Sequence, residues 1–144
     1  MSTGAIYTNI NQNLVFNGAP MSFSRATGTW CDMQWVDPDE VKMFAGVSGF
    51  GMYVRTDNRS AIVTLTVLIN GPENDILNAA YQAARAAPNG LRYGIMVQQG
   101  TTLYNGLGVI MGQPPVTMSD GVMTNSWRLA SLEMQGNAGS LPGA

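Results

Sequence analysis

The chain contains no histidine, a single cysteine (Cys31) and a single lysine (Lys42) among its 144 residues. Each shortage excludes a class of chemistry. Zinc sites of the usual kind need three or four His or Cys ligands, which this chain cannot supply. Without an imidazole there is no His-assisted serine or cysteine triad. A lone cysteine closes no internal disulfide, which fits a reducing cytoplasm. A free Cys behaves as a small core side chain, and that is the role expected for Cys31.

Charge is scarce as well. Charged residues make up 11% of the chain, and seven basic against nine acidic residues leave a net charge of −2. Binding to a nucleic-acid backbone requires many cations, so the composition describes a chain that lets DNA slide rather than holds it. No run is long enough to cross a membrane as a helix. The most apolar stretch, Ala61 to Ile69, is nine residues interrupted by Thr64 and Thr66. Residues 1–12 lack a basic start and an apolar stretch, so no secretory signal is expected there.

What fills the gap is 45% apolar residues, 17 glycines and many uncharged polar side chains. A chain this apolar and this close to neutrality is not disordered. Its length suits one domain, able to bury about 68–70% of its unfolded surface.

Period-two patterns dominate. In 61–69 the odd positions are all apolar, whereas the even ones are Ile62, Thr64, Thr66 and Leu68. One face belongs in a core and the other is half apolar, more than water alone favours. Val41, Met43, Ala45 and Val47 alternate too, followed by Phe50, Met52 and Val54; Thr56-Asp57-Asn58-Arg59 then forms a turn. Cys31, Met33 and Trp35 share a face opposite Asp32 and Gln34. Further strands are expected at 94–99, 103–112 and 127–135, the last with Ala130, Leu132 and Met134 on one face and Ser131, Glu133 and Gln135 on the other.

One segment departs from this pattern. Pro72 near the first turn, Glu73 and Asp75 beside it, an alanine-rich body and Arg85 near the end specify a helix. Its expected apolar stripe is Ile76, Ala80, Ala83 and Ala87, with Leu77, Tyr81 and Ala84 alongside. Pro88-Asn89-Gly90 stops it. The fold class is therefore mainly β, a β-sandwich or partly closed barrel with one α-helix packed on it. A single domain covers 1–144, with residues 1–12 as an N-terminal arm and 136–144 as a flexible tail.

No enzyme signal survives inspection. The glycine-rich stretches 46–51 and 106–112 lack dinucleotide-binding or phosphate-loop spacing, and in strands such glycines mark bulges or close backbone approach. Asp37, Asp39 and Glu40 read as a solvated acidic turn, with an inter-subunit salt bridge as the alternative. Asp32 and Glu133 could be imagined as a glycosidase pair, but nothing in the sequence brings them together. Trp30, Trp35 and Trp127 read as core aromatics before they read as a sugar platform. No catalytic, metal or cofactor residue is assigned.

What remains is surface. Exposed strand edges and half-apolar faces invite aggregation, and proteins blunt them with lysines or cover them with a partner. Lysine is almost absent, so self-association is expected.

The order of these features resembles the bacteriophage tail tube proteins. The likeness spans roughly 18–136 and rests on Leu65-Thr66-Val67-Leu68-Ile69 running into Pro72-Glu73-Asn74-Asp75-Ile76-Leu77. The Gly100-Thr101-Thr102-Leu103 turn, the Pro114-Pro115 stop and the late Trp127-Arg128-Leu129 strand follow in order. The chain departs from the family at Gln98-Gln99, where an acid is expected, and at Gly136-Asn137-Ala138-Gly139, where paired glycines are expected. The resemblance implies a virion structural protein of the tail, assembled in the host cytoplasm. Its hexameric rings would stack into a hollow tube for genome delivery. It implies no cofactor and no membrane, with sheath, baseplate or tail-tip and terminator proteins as partners and DNA passing without specific binding. Tubes of bacterial contractile injection and secretion systems share the fold and are the nearest alternative. A jelly-roll decoration or carbohydrate-binding module is the other. Under this resemblance Ser131, Glu133 and Gln135 are candidates to face the lumen, and the helix to pack outside the barrel. Ile62, Thr64, Thr66, Leu68, Phe50, Tyr53, Arg55, Ile6 and Tyr7 are candidate subunit-interface residues.

Overall fold

A computed structural model describes residues 12–21, 25–26, 28–56, 58–116, 118, 120–121 and 123–139. Among them are nine strands and one helix. In chain order they are β1 (Gln12–Phe16), β2 (Ala19–Pro20), β3 (Cys31–Trp35), β4 (Val41–Ala45), β5 (Gly51–Arg55), β6 (Ala61–Leu68), α1 (Pro72–Ala86), β7 (Tyr93–Gln99), β8 (Thr102–Ile110) and β9 (Thr124–Asn137).

Seven strands form one antiparallel sheet in the order β2-β1-β7-β8-β9-β6-β3, while β4 and β5 form a separate hairpin. Of the two architectures the sequence left open, the rolled sheet is the one present, and it does not close into a barrel. The Trp30 indole N–H donates to Gln12 Oε1 at 2.9 Å, and Trp35 meets Tyr104 edge-on with ring centroids 5.4 Å apart. The first joins the start of β3 to β1 across the open side of the roll, and the second crosses from β3 to β8, neither through a ladder.

The core lies inside the roll. Leu14, Phe16, Val63, Leu65, Ile95, Trp127 and Leu129 are buried there. The odd positions of β6 are buried as the alternation demands, and the T-shaped and tilted ring pairs keep Trp35 and Phe16 in aromatic contact. The tryptophans thus serve packing.

Helix α1 begins at Pro72, earlier than the alanine-rich body alone indicates, because proline at the first helical position costs no hydrogen bond. Its buried seam is Glu73 and Leu77, with Ala80, Tyr81 and Ala84 packed on the core. Of the expected stripe Ala80 packs on the core while Ile76 and Ala83 face outward, and the row expected alongside it, Leu77, Tyr81 and Ala84, is the packed one, with Leu77 as the helix's anchor. Asn74 explains the sequence pattern around it. Its Oδ1 accepts from the Trp127 indole N–H at 3.0 Å and from Asn125 Nδ2 at 2.9 Å, tying the helix start to β9.

Two boundaries differ from expectation. Gln12 opens β1 rather than ending an arm, and β9 continues through Gly136 and Asn137, paired with Tyr104 and Leu103. Gly139 N donates to Thr102 Oγ1 at 2.9 Å, so residues 136–139 are held against β8 and are not a loose tail. Residues 1–11 and 140–144 lie outside the described residues.

Candidate assembly surfaces

The outward face of the main sheet carries most of the residues singled out above. Ile62 lies opposite Ala130, Thr64 opposite Arg128 and Thr66 opposite Ser126, where the Thr66 and Ser126 hydroxyls are 3.1 Å apart. Leu68 is exposed at the end of the same row. On β3, Asp32 and Gln34 continue it, joined by a 3.0 Å hydrogen bond from Gln34 Nε2.

Strand β9 departs from strict alternation, and this corrects one assignment. Gly108 pairs with Ser131 but Leu107 pairs with Glu133, so Leu132 is an extra, bulged residue. Before the bulge the inward side chains are Trp127, Leu129 and Ser131; after it the next one is Met134. Ser131 is 3% exposed, and its hydroxyl lies 2.8 Å from the Leu107 carbonyl oxygen and 3.1 Å from that of Glu133. It plugs the bulge and cannot line a lumen. Glu133 and Gln135 do face outward, linked by a 2.5 Å hydrogen bond from Gln135 Nε2 to Glu133 Oε1. The bulge also explains a glycine. A Cβ on Gly106 would press on the Glu133 carbonyl oxygen and sit 2.8 Å from Met134 Sδ.

Asp32 and Glu133 share the outward face but are separated by β6 and by five residues along β9, with Arg128 between them in register. They do not form a carboxylate pair. The acidic turn is occupied within the chain: Asp37 pairs with Lys42 at 3.3 Å and Glu40 with Arg59 at 2.6 Å.

The β4–β5 hairpin is the second surface. Each of its ten strand residues is exposed, and neither strand pairs with the main sheet. Val41, Met43, Phe44, Met52 and Val54 are all open to solvent, as are Phe50 at 82% and Tyr53 at 77%. Arg55 is exposed at its root. The tip turns through Gly49 at φ +88°, a left-handed conformation that glycine adopts without strain. Ile6 and Tyr7 lie outside the described residues.

A third surface was not anticipated. At the far end of β6, a depression is lined by Ile69, Pro114, Pro115, Val116, Thr124, Asn125 and Ser126, and Met111, Met118 and Met123 are exposed in the adjoining segments. The signal was present as isolated apolar residues in a proline-bounded loop, which has no period to betray it. The hairpin leaves at the Ala61 end of β6 and this apolar pole lies at the Leu68 end. Segments 69–76 and 111–124 contain Glu73, Asp75 and Asp120 but no cation, whereas 41–55 contain Lys42 and Arg55 but no acid.

Cys31 is partly buried and packs against the core. Burial, aided by the neighbouring Asp32 carboxylate, pushes its thiol up from 9.0 to about 12. The thiolate is the reactive form, so alkylation of the folded chain by iodoacetamide at pH 7.5 should run about a hundredfold slower than in denaturant. Because the folded value is raised, the thiol's contribution to stability is complete below pH 9 and declines as pH climbs towards 12. Denaturant titrations at pH 8 and pH 11 would measure that decline.

No family model matches the chain, and no curated protein matches it. Among solved structures it is similar to the anti-feeding prophage cap, described as a tube-terminating cap and determined by cryo-electron microscopy. The TM-score is 0.61 at 10% identity, over 96% of this chain and 95% of that one. Such a likeness concerns the fold, over nearly the whole of both chains.

Proposed function

We propose that the chain is a non-enzymatic structural subunit of a tail tube, assembling with copies of itself into six-fold rings that stack into a hollow conduit for the genome. The observation that carries this reading is the exposed apolar hairpin at one end of β6 together with an apolar pole at the other. A patch and its complement on opposite ends of one molecule make a head-to-tail contact, and repeated head-to-tail contacts give rings or open stacks. Laterally, Ile62, Thr64, Thr66 and Leu68 supply a half-apolar face for a neighbour within the ring. Glu133 and Gln135 face the channel, where polar and acidic groups leave a polyanion free to slide. The place of action is the virion tail, and sheath, baseplate and terminator proteins are its neighbours.

The structural neighbour supports a second reading, because the protein it comes from caps a tube. A capping subunit would form rings that do not stack. Negative-stain electron microscopy of the purified chain at high concentration separates the outcomes. Hollow tubes with six-fold end views are expected. Single rings would move the assignment to a cap or terminator, and compact monomers that never assemble with tail-tip components would overturn both in favour of a binding module.

A further inference from the structure

The hairpin joins the sheet through two short connections, residues 36–40 and 56–60, and one residue on each reaches across to the other. From the second connection Arg59 places its guanidinium 2.6 Å from the Glu40 carboxylate on the first. The same guanidinium lies 4.6 Å over the Trp35 ring, and its Nε donates to the Met134 carbonyl at 3.2 Å. The Arg59 carbonyl in turn accepts the Met134 N–H at 2.9 Å. Trp35 is braced edge-on by Tyr104. Ser60 adds a hydroxyl donor to the Leu132 carbonyl at 3.1 Å.

Arg59 therefore touches three things at once: the root of the arm, the aromatic pair that crosses from β3 to β8, and the β9 backbone just past its bulge. A guanidinium can do this because its donors leave a rigid plane in several directions while its face stacks on a ring. Lysine cannot. The root itself is closed by the Thr56 N–H donating to the Glu40 carbonyl at 2.7 Å, so Glu40 moves with the hairpin and Arg59 with the sheet. The Asp37–Lys42 pair also lies at the root, and half of the Lys42 side chain is in solvent. Beside the node is a cleft of about 360 Å³ lined by Trp35, Glu40, Arg59, Tyr104 and Gly136, open space into which an unlatched root can move.

We propose that Arg59 is the positioning residue of the arm: its bond to Glu40 locks the hairpin at one angle to the sheet, and without that lock the chain folds but stacks only at higher concentration. This deepens the stacking assignment, on which its consequence for assembly rests, while the lock itself is a property of the single chain. It also gives the β9 bulge a purpose, since the bulge turns the Met134 peptide group to where Arg59 meets it.

Distance measurement between spin labels tests the lock directly. Labels on Ser48→Cys at the arm tip and Asn105→Cys on the outward sheet face, in a Cys31→Ser background, report the arm's angle in dilute, unassembled protein. A narrow distance distribution is expected for the parent chain and a broad one for Arg59→Ala. Glu40→Gln keeps every contact of Arg59 with the sheet and guards against simple misfolding, so it should broaden the distribution too, with circular dichroism unchanged. Arg59→Lys should fail to restore the lock, and the exchanged pair Glu40→Arg with Arg59→Glu should restore it only in part, because glutamate does not stack on Trp35. Concentrations needed for assembly should rise about tenfold in Glu40→Gln, as expected for trading a charge-assisted hydrogen bond for a neutral one. A distribution as narrow in Glu40→Gln as in the parent overturns the proposal. If the parent chain never assembles but the distances behave as described, the lock stands and the tube assignment falls.

Discussion

Replacing Phe50 and Tyr53 together by aspartate is expected to abolish assembly while leaving the melting temperature of the isolated chain within a few degrees of the parent. Both side chains are more than three-quarters exposed, and both belong to a hairpin that pairs with nothing in the main sheet. The folded monomer therefore has little to lose. In an assembled state each ring is worth about 1.5–3 kcal/mol of burial. Removing both, and adding charges that must be desolvated, lowers the association constant by at least about a hundredfold. Light scattering across a concentration series measures this, with thermal unfolding at low concentration as the control. A variant that assembles like the parent would show that the arm is not the contact, and a variant with a collapsed melting temperature would show that the arm is part of the core.

The largest effect on stability belongs to Trp127→Ala. Trp127 is 2% exposed near the start of β9, paired with Leu65, and its indole N–H reaches Asn74 at the start of α1. Truncation removes an aromatic core side chain, which costs about 3–5 kcal/mol. For a domain of this size that lowers the melting temperature by about 10 °C or more. Trp127→Phe keeps most of the ring but loses the hydrogen bond. Asn74 retains Asn125 as a donor, so no buried acceptor is stranded and the cost should be about 1–2 kcal/mol. Denaturant melts of the two variants measure the gap. Equal losses would mean that the indole N–H, rather than the ring's volume, ties helix to sheet.

How far this was legible depends on period. The buried odd positions of β6 could be read directly, because strict alternation is what a one-sided strand produces; the hairpin strands were legible from the same period although neither of their faces is buried in the single chain. The helix was legible from Pro72 and its acids, and the row Leu77, Tyr81 and Ala84 that packs was named, but as the flank of the stripe rather than its centre, since an alanine-rich surface gives the period little contrast. Strand β9 misled because a single inserted residue inverts every later face, and nothing at Leu132 announces it. Leu132 is apolar and 83% exposed. Strands β1 and β2 were missed despite a usable signal: Asn17-Gly18, at φ +50° and +82°, is the turn pair favoured in tight hairpins, flanked by Leu14-Val15-Phe16 and Ala19. Glycines 106 and 108 were read as close-approach positions, and each does meet β9 backbone. The Arg59 node had no sequence signature, because its partners are 19, 24 and 75 residues away.

The separation of arm and pole along β6 has a last consequence, for polarity. A stack built from arm-to-pole contacts has two chemically different ends, one offering free hairpins and the other free depressions lined by isoleucine, valine and proline. Growth at the two ends then proceeds at different rates, and no single protein stops both. Whatever starts such a filament must mimic one surface, and whatever ends it must mimic the other. A terminator with this same fold satisfies half of that requirement at once, by keeping the pole and dispensing with the arm, or by keeping the arm and blunting the pole.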